Sequence, residues 1–459
     1  MSNDKLFSRR SFLKTSGMLA LASTLPILTT SARNGKKIND LLSTDRNSLV
    51  LKKTKILLDD QWDVIVIGGG PSGCAAAIAA AREGAKTLLI EAMGCLGGMG
   101  TSGLVPAWTP FSDGEKMVYK GIAEKVFNES KIGVPHEPKD KMDWVAINPE
   151  WLKLVYDRMV AKSNAKVLFF SRLAAVQMKN EEEVEAIIIS NKSGLTAYRA
   201  KVYIDCTGDG DLAAWAGASF TKGNAAGIAM PATHCFEIVN LNVNPTNVES
   251  FNALYGGNKN SPIWDMAASG KYPAIKDAHL CINYIGPNAV GLNAGHLFEV
   301  DSTNPQSLSD AMSRGRELAN QFMAGLKEFR PEIFANSFLV NTGQLMGIRE
   351  SRIIEGDYTL TLKDWMARAG FPDEIGRNNY FIDIHNSKED IGKVLKERSF
   401  ENLGRPEPYK RGESHGIPYR CLTPKGLKNV LVAGRCISTE QIVQGSVRIQ
   451  PACLVTGEA

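Results

Sequence analysis

No two cysteines in the chain stand in a C-x-x-C spacing; the eight occupy positions 74, 95, 206, 235, 281, 421, 436 and 453. That scatter does not support an iron–sulfur cluster or a structural zinc held by local sequence. Internal repeats, low-complexity segments and an apolar run long enough to span a bilayer comfortably are missing too, which speaks against fibrous, solenoid and membrane-spanning classes. Charge of one sign is scarce in the body of the chain. The net +4 comes from the first 58 residues, with +3 in 1–32 and +5 in 33–58, which leaves −4 for 59–459. A body so balanced has no electrostatic reason to bind nucleic acid. What remains, at 459 residues, 44% hydrophobic and 22% charged, has the profile of a soluble α/β protein with room for two domains or an insertion.

The first residues, Ser8-Arg9-Arg10-Ser11-Phe12-Leu13-Lys14, precede a weakly apolar run from Gly17 to Leu28 and then Thr30-Ser31-Ala32. This pattern resembles a twin-arginine signal peptide over 1–32, which implies the twin-arginine export machinery as a partner and a periplasmic or otherwise exported destination. The resemblance further implies export in the folded state, with any cofactor already captured. Residues 33–58 are expected to form a solvated linker.

Asp63-Val64-Ile65-Val66-Ile67 is a β-branched run that enters Gly68-Gly69-Gly70-Pro71-Ser72-Gly73 and then a small-residue helix from Cys74 to Arg82. The order strand, glycine turn, helix is that of a dinucleotide-binding unit. Gly68 permits the tight turn, Gly70 lets backbone approach a pyrophosphate, and Gly73 lets helix and strand pack closely. A second strand, Lys86 to Ile90, ends at Glu91, placed to accept from ribose hydroxyls. A further flexible stretch, Gly94 to Gly103, could wrap an extended cofactor. Asn148, Pro149 and Glu150 open a helix, and Lys166–Ser171, Ala174–Lys179, Glu183–Ser190 and Ala197–Ile204 read as strands. A meander in place of a crossover helix is typical of FAD-binding folds of the glutathione-reductase type.

Asp205-Cys206-Thr207-Gly208-Asp209-Gly210-Asp211 follows the last of these strands, and Asn429 to Val432 runs into Ala433-Gly434-Arg435-Cys436. With Gly347-Ile348-Arg349-Glu350-Ser351-Arg352, Asp383-Ile384-His385 and Ile417-Pro418-Tyr419-Arg420, these segments resemble the FAD-dependent oxidoreductases of the heterodisulfide reductase-like group, over residues 61–459. The resemblance implies a Rossmann-like FAD-binding α/β domain with a β-meander (59–213 and 346–459) and an inserted α+β substrate or cap domain (214–345). It implies FAD contacts at Gly68, Gly70, Gly73, Glu91, Gly98, Thr207, Gly208, Asp209, Gly434, Arg435 and Arg448. Related flavoproteins place an Asp where Arg435 stands. Gln444 to Pro451 looks like the entry to a helix facing the flavin, with two to three turns from Pro451 to Ala459, where relatives continue. A C-terminal truncation is one reading of that end. Some relatives carry iron–sulfur centres, which the cysteine spacing here does not match.

Within 214–345, Leu308, Met312, Leu318, Phe322 and Leu326 form a stripe at helical spacing, expected to be core. Of the six histidines, His385, two residues after Asp383 and so on its face in a strand, is the first candidate for a general base; a structural role is equally open. His234 is the second. Arg349 and Arg352 are spaced to share a helix face and clamp a carboxylate, or else to pair with Glu350 or Glu355, and Arg420 raises the same alternative. The expected function is hydride or electron transfer between flavin and a small organic substrate, with an unidentified acceptor other than NAD, since only one complete fingerprint is present. An electron-transfer component of a larger complex and a non-catalytic truncated homologue are the alternatives.

Overall fold

The computed structural model describes residues 55–243, 251, 253–385, 387–400 and 405–459. The segment expected to be a signal peptide and most of the expected linker lie outside them. The linker's end is no linker: Leu57–Asp59 is a strand (β1), paired in parallel with Gly194–Tyr198 (β7). Its side chains are largely exposed, so backbone pairing rather than burial recruits it.

The organising element is a five-stranded parallel sheet. Val64–Ile67 (β2), Thr87–Ile90 (β3), Lys166–Leu168 (β4), Val202–Asp205 (β8) and Val430–Val432 (β17) stand in the order β17-β8-β2-β3-β4. Parallel strands at the centre of such a sheet are covered on both faces, and Ile65, Val66, Leu88 and Leu89 are accordingly buried. Helix α1, Pro71–Arg82, covers one face, and its run of small residues lets other elements approach. The terminal helix, Gln450–Glu458, packs on it so closely that a Cβ on Gly457 would lie 2.1 Å from the Ser72 carbonyl oxygen. That helix has the expected two to three turns.

The meander differs from expectation in one place. Arg172–Met178 (β5), Val184–Asn191 (β6) and β7 form an antiparallel sheet, but the expected strand Ala197–Ile204 is two, because β7 ends at Tyr198 and β8 begins at Val202 in the other sheet. The break is stapled by the Tyr203 hydroxyl, which accepts from Ala200 N and donates to Glu185 O.

A second antiparallel sheet, with strand order β11-β12-β10-β13, comes from Phe236–Val239 (β10), Leu280–Gly286 (β11), Ala289–Ala294 (β12) and Phe338–Thr342 (β13). It packs on the Pro305–Phe329 helix, whose Leu318, Phe322 and Leu326 are fully buried, with Leu308 and Met312 partly so, as the stripe predicts. The helix capped by Asn148 spans Pro149–Ser163, and the Asn148 side chain accepts from Trp151 N.

Candidate functional site

Three neighbouring strands, β2, β8 and β17, end on glycine turns at one edge of the parallel sheet, where open α/β sheets hold their ligands. Gly68 has φ +98°, and a Cβ there would lie 2.4 Å from Cys206 O; on Gly73 it would lie 1.7 Å from Gly68 O. Both are locked by the fold itself. Gly70 is different: a Cβ there meets nothing within 4 Å. Gly70 is the N-cap of α1, with no side-chain cap and no acidic residue in the first turn, so the helix start offers N–H groups and partial positive charge to open space.

Glu91 turns its carboxylate onto the loop: Oε2 accepts from Gly69 N at 2.5 Å and Oε1 from Met93 N at 2.6 Å. Burial raises its pKa against these bonds. Each oxygen keeps a lone pair for a ribose hydroxyl. Gly97 N bonds Gly69 O at 2.8 Å, and a Cβ on Gly98 would stand 3.0 Å from Gly70 Cα, so the second glycine stretch faces the first.

The later motifs close the edge. Thr207 Oγ1 is consumed in its own turn, donating to Asp205 Oδ1 and accepting from Asp211 N. Arg435 Nη2 donates to Asp209 Oδ1 at 2.7 Å beside Gly208, while its Nη1 is buried without a partner. Gly434 N donates to Thr456 Oγ1. Arg448 Nη2 donates to the Asp383 carboxylate and carbonyl, and its Nε and Gln450 Oε1 are buried without partners. These orphaned groups, with the open space at Gly70, fit a long polar cofactor bearing phosphates and a heteroaromatic ring.

The candidate catalytic residues separate into two groups. His385, Arg349 and Arg448 come together around Asp383: His385 Nε2 lies 3.4 Å from Asp383 Oδ2. His385 and Asp383 are not in a strand, as expected, but in an irregular segment. Nor are Arg349 and Arg352 on a helix face. Arg349 lies in irregular backbone and donates to Pro231 O, while Arg352 opens Arg352–Ile354 (β14) and pairs with Asp211 at 2.7 Å. Burial, then the nearby Arg448 charge, pushes Arg349 down to about 10.

His234 and Arg420 fall elsewhere. His234 is buried, with Nε2 on Gly343 O and its ring against Gly315, so it serves packing. Arg420 is half exposed and forked onto Asp373. A cavity of about 430 Å³ lined by Asp113, Lys116, Arg368 and Arg377 involves none of these candidates.

Three residues that the sequence motifs leave out complete the cluster: Asp277, His279 and His296. His296 Nδ1 meets Asp277 Oδ2 at 2.5 Å, and its Nε2 lies 2.8 Å from His385 Nδ1. The His279 ring stacks on His296 with centroids 4.3 Å apart. Burial above all holds the three imidazoles below their ordinary pKa. Asp277-Ala278-His279 repeats the spacing of Asp383-Ile384-His385, a signal that the sequence does carry.

A model of the FAD dependent oxidoreductase family matches residues 63–459. Among curated proteins, glutathione reductase of Schizosaccharomyces pombe is 31% identical over 157 residues, covering 32% of this chain and 31% of that protein. Leghemoglobin reductase of Glycine max is 49% identical over 57 residues, 12% of this chain and 11% of that protein. The chain thus spans about a third or less of these relatives. Among solved structures, p-nitrophenol 4-monooxygenase of Pseudomonas putida is 10% identical with a TM-score of 0.39, covering 65% of this chain and 70% of that one. The strand, glycine turn and helix that begin at Val64, the parallel sheet behind them and the family match across both edges of the site lead to one assignment: the chain belongs to the FAD dependent oxidoreductase family.

Proposed function

We propose that the chain is an exported flavoenzyme that exchanges hydride or electrons between FAD and a small organic substrate, and that within its family it stands near the heterodisulfide reductase-like flavoproteins. The observation that carries the flavin reading is Gly70, the one glycine of the fingerprint triad whose missing Cβ faces open space at a helix start. When bound, FAD supplies the two-electron chemistry. The N–H groups of α1 and the unpaired Arg435 Nη1 would hold its phosphates, and Glu91 would accept from ribose. The start of the Gln450–Glu458 helix and Arg448 favour negative charge on the ring.

The antiparallel sheet and the Pro305–Phe329 helix form the cap under which substrate lies. His385, whose side chain is still slightly exposed, is the group that orients the substrate, and Asp383 and His296, which engage its two nitrogens, fix its position. The twin arginines at 9 and 10 support export of the folded holoprotein, with an acceptor other than NAD receiving the electrons.

The purified chain is expected to show flavin absorbance near one FAD per chain, released on denaturation, and anaerobic screening of small alcohols, amines and acids is expected to bleach it. A colourless protein that takes up no added FAD would refute the reading.

A further inference from the structure

We propose that His279, His296 and His385 form a binding site for a divalent first-row transition metal of the zinc class, which the family match does not assign. The three come from separate segments, and one ligand nitrogen from each lies within 4.8 Å of the others. Tetrahedral zinc with Zn–N of about 2.0–2.1 Å needs nitrogens roughly 3.4 Å apart, so on binding the stacked His279 and His296 rings, 19° from parallel, splay until their in-plane lone pairs converge.

The arrangement of the outer partners makes the case. His296 turns Nδ1 to Asp277 and Nε2 inward; His385 turns Nε2 to Asp383 and Nδ1 inward; the two inward nitrogens are 2.8 Å apart. Each ring therefore carries a carboxylate on the nitrogen opposite its inward one. Metal-bound histidines show this pattern, in which the carboxylate fixes tautomer and orientation. The third ring, His279, is more than nine-tenths buried, and its Nδ1 has no hydrogen-bond partner. A buried imidazole nitrogen left unpaired, in a ring that belongs to this cluster, is costly unless something pairs with it.

Proton accounting agrees. With both rings neutral and His296 Nδ1–H given to Asp277, His296 Nε2 is an acceptor and His385 donates from Nδ1, which leaves a bare Nε2 against the Asp383 carboxylate. Two acceptors then face each other at 3.4 Å. A metal ion takes the lone pairs of His296 Nε2 and His385 Nδ1, the His385 proton moves from Nδ1 to Nε2, and Asp383 accepts its hydrogen bond. No proton is gained or lost. Asp277 and Asp383 offset the dication, while Arg349 and Arg448 oppose it, so a fourth position favours water, hydroxide or an anionic substrate oxygen.

The test uses the full chain, stripped with a chelator, exposed to Zn²⁺, desalted and measured for metal and flavin together. One zinc per chain is expected, falling to background in His279→Ala and His296→Ala and retained in His136→Ala, a histidine outside the cluster. Asp277→Asn keeps all three imidazoles and is expected to weaken zinc binding about 10–100-fold. If the alanine variants lose their near-UV circular dichroism, Asp277→Asn decides: unchanged affinity overturns the site. Wild type without zinc, or zinc retained in folded His279→Ala and His296→Ala, also overturns it. Flavin content is read separately, so failure of the metal site and failure of the FAD reading are distinguishable.

Discussion

Alanine at Gly70 and at Gly73 adds the same methyl group to the same loop, yet the two positions answer different questions. At Gly73 the new Cβ would sit 1.7 Å from a backbone oxygen that cannot give way, so Gly73→Ala is expected to cost about 3 kcal/mol or more and to reduce soluble yield. At Gly70 the methyl meets no protein atom. Gly70→Ala is therefore expected to leave the stability of the flavin-free protein within about 0.5 kcal/mol of the parent, while FAD affinity drops at least tenfold. Fluorescence titration with FAD and urea unfolding of the apoprotein check the pair. A Gly70→Ala protein that binds FAD normally would place the pyrophosphate elsewhere.

At the scale of elements, the Pro305–Phe329 helix carries a glycine in its interior, and a helix-propensity argument says Gly315→Ala should gain about 1 kcal/mol. The structure predicts the opposite sign. A Cβ there would lie 2.3 Å from His234 Nδ1, and that ring cannot retreat, being fully buried and tied to Gly343 O at 2.7 Å. Overpacking costs typically 1–3 kcal/mol, and a 2.3 Å approach belongs in the upper part of that range, so after the propensity gain Gly315→Ala is expected to destabilise by about 1–2 kcal/mol net, and a raised melting temperature would refute the account. The same contact explains why His234 misleads in the sequence: its neighbours there do not disclose a helix packed over it from eighty residues downstream. Local chemistry was legible where it is local. The fingerprint at Gly68 to Gly73, the Asn148 cap and the apolar stripe ending at Leu326 all read correctly, because each is set by residues a few positions apart. The break between Tyr198 and Val202 was not, since both halves are strand-forming and only their partners in two different sheets divide them. The histidine cluster was half legible: Asp383-Ile384-His385 stands out, but its partners sit some ninety to a hundred residues earlier in the chain.

For the molecule as a whole, acid stability draws also on a histidine outside the cluster. His415, in the strand His415–Pro418, is buried, its Nδ1 meets the Tyr409 hydroxyl, and Arg377 and Arg368 face it with the Asp364 carboxylate opposing them. Burial first, then those two guanidinium charges, lowers its pKa to about 3. An unfolded chain has a histidine near 6.5, so between these values the unfolded state binds a proton that the native state refuses. The stabilising contribution is complete above pH 6.5 and is lost as pH falls toward 3, at about 1.4 kcal/mol per unit of displacement. Asp205 works the other way. Burial raises it to about 6, so its contribution is complete below its ordinary 3.8 and is lost as pH rises through 6. Of the two displacements the histidine's is the larger, so this pair together lowers stability toward acid, in the same direction as the depressed imidazoles of the cluster. Unfolding free energy measured from pH 7 to 4 is therefore expected to decline in the parent and to decline less steeply in His415→Gln, which keeps a polar side chain but binds no proton in this range. Parallel curves for the two proteins would mean that His415 is protonated in the native state and that the charge of Arg377 and Arg368 is screened from it.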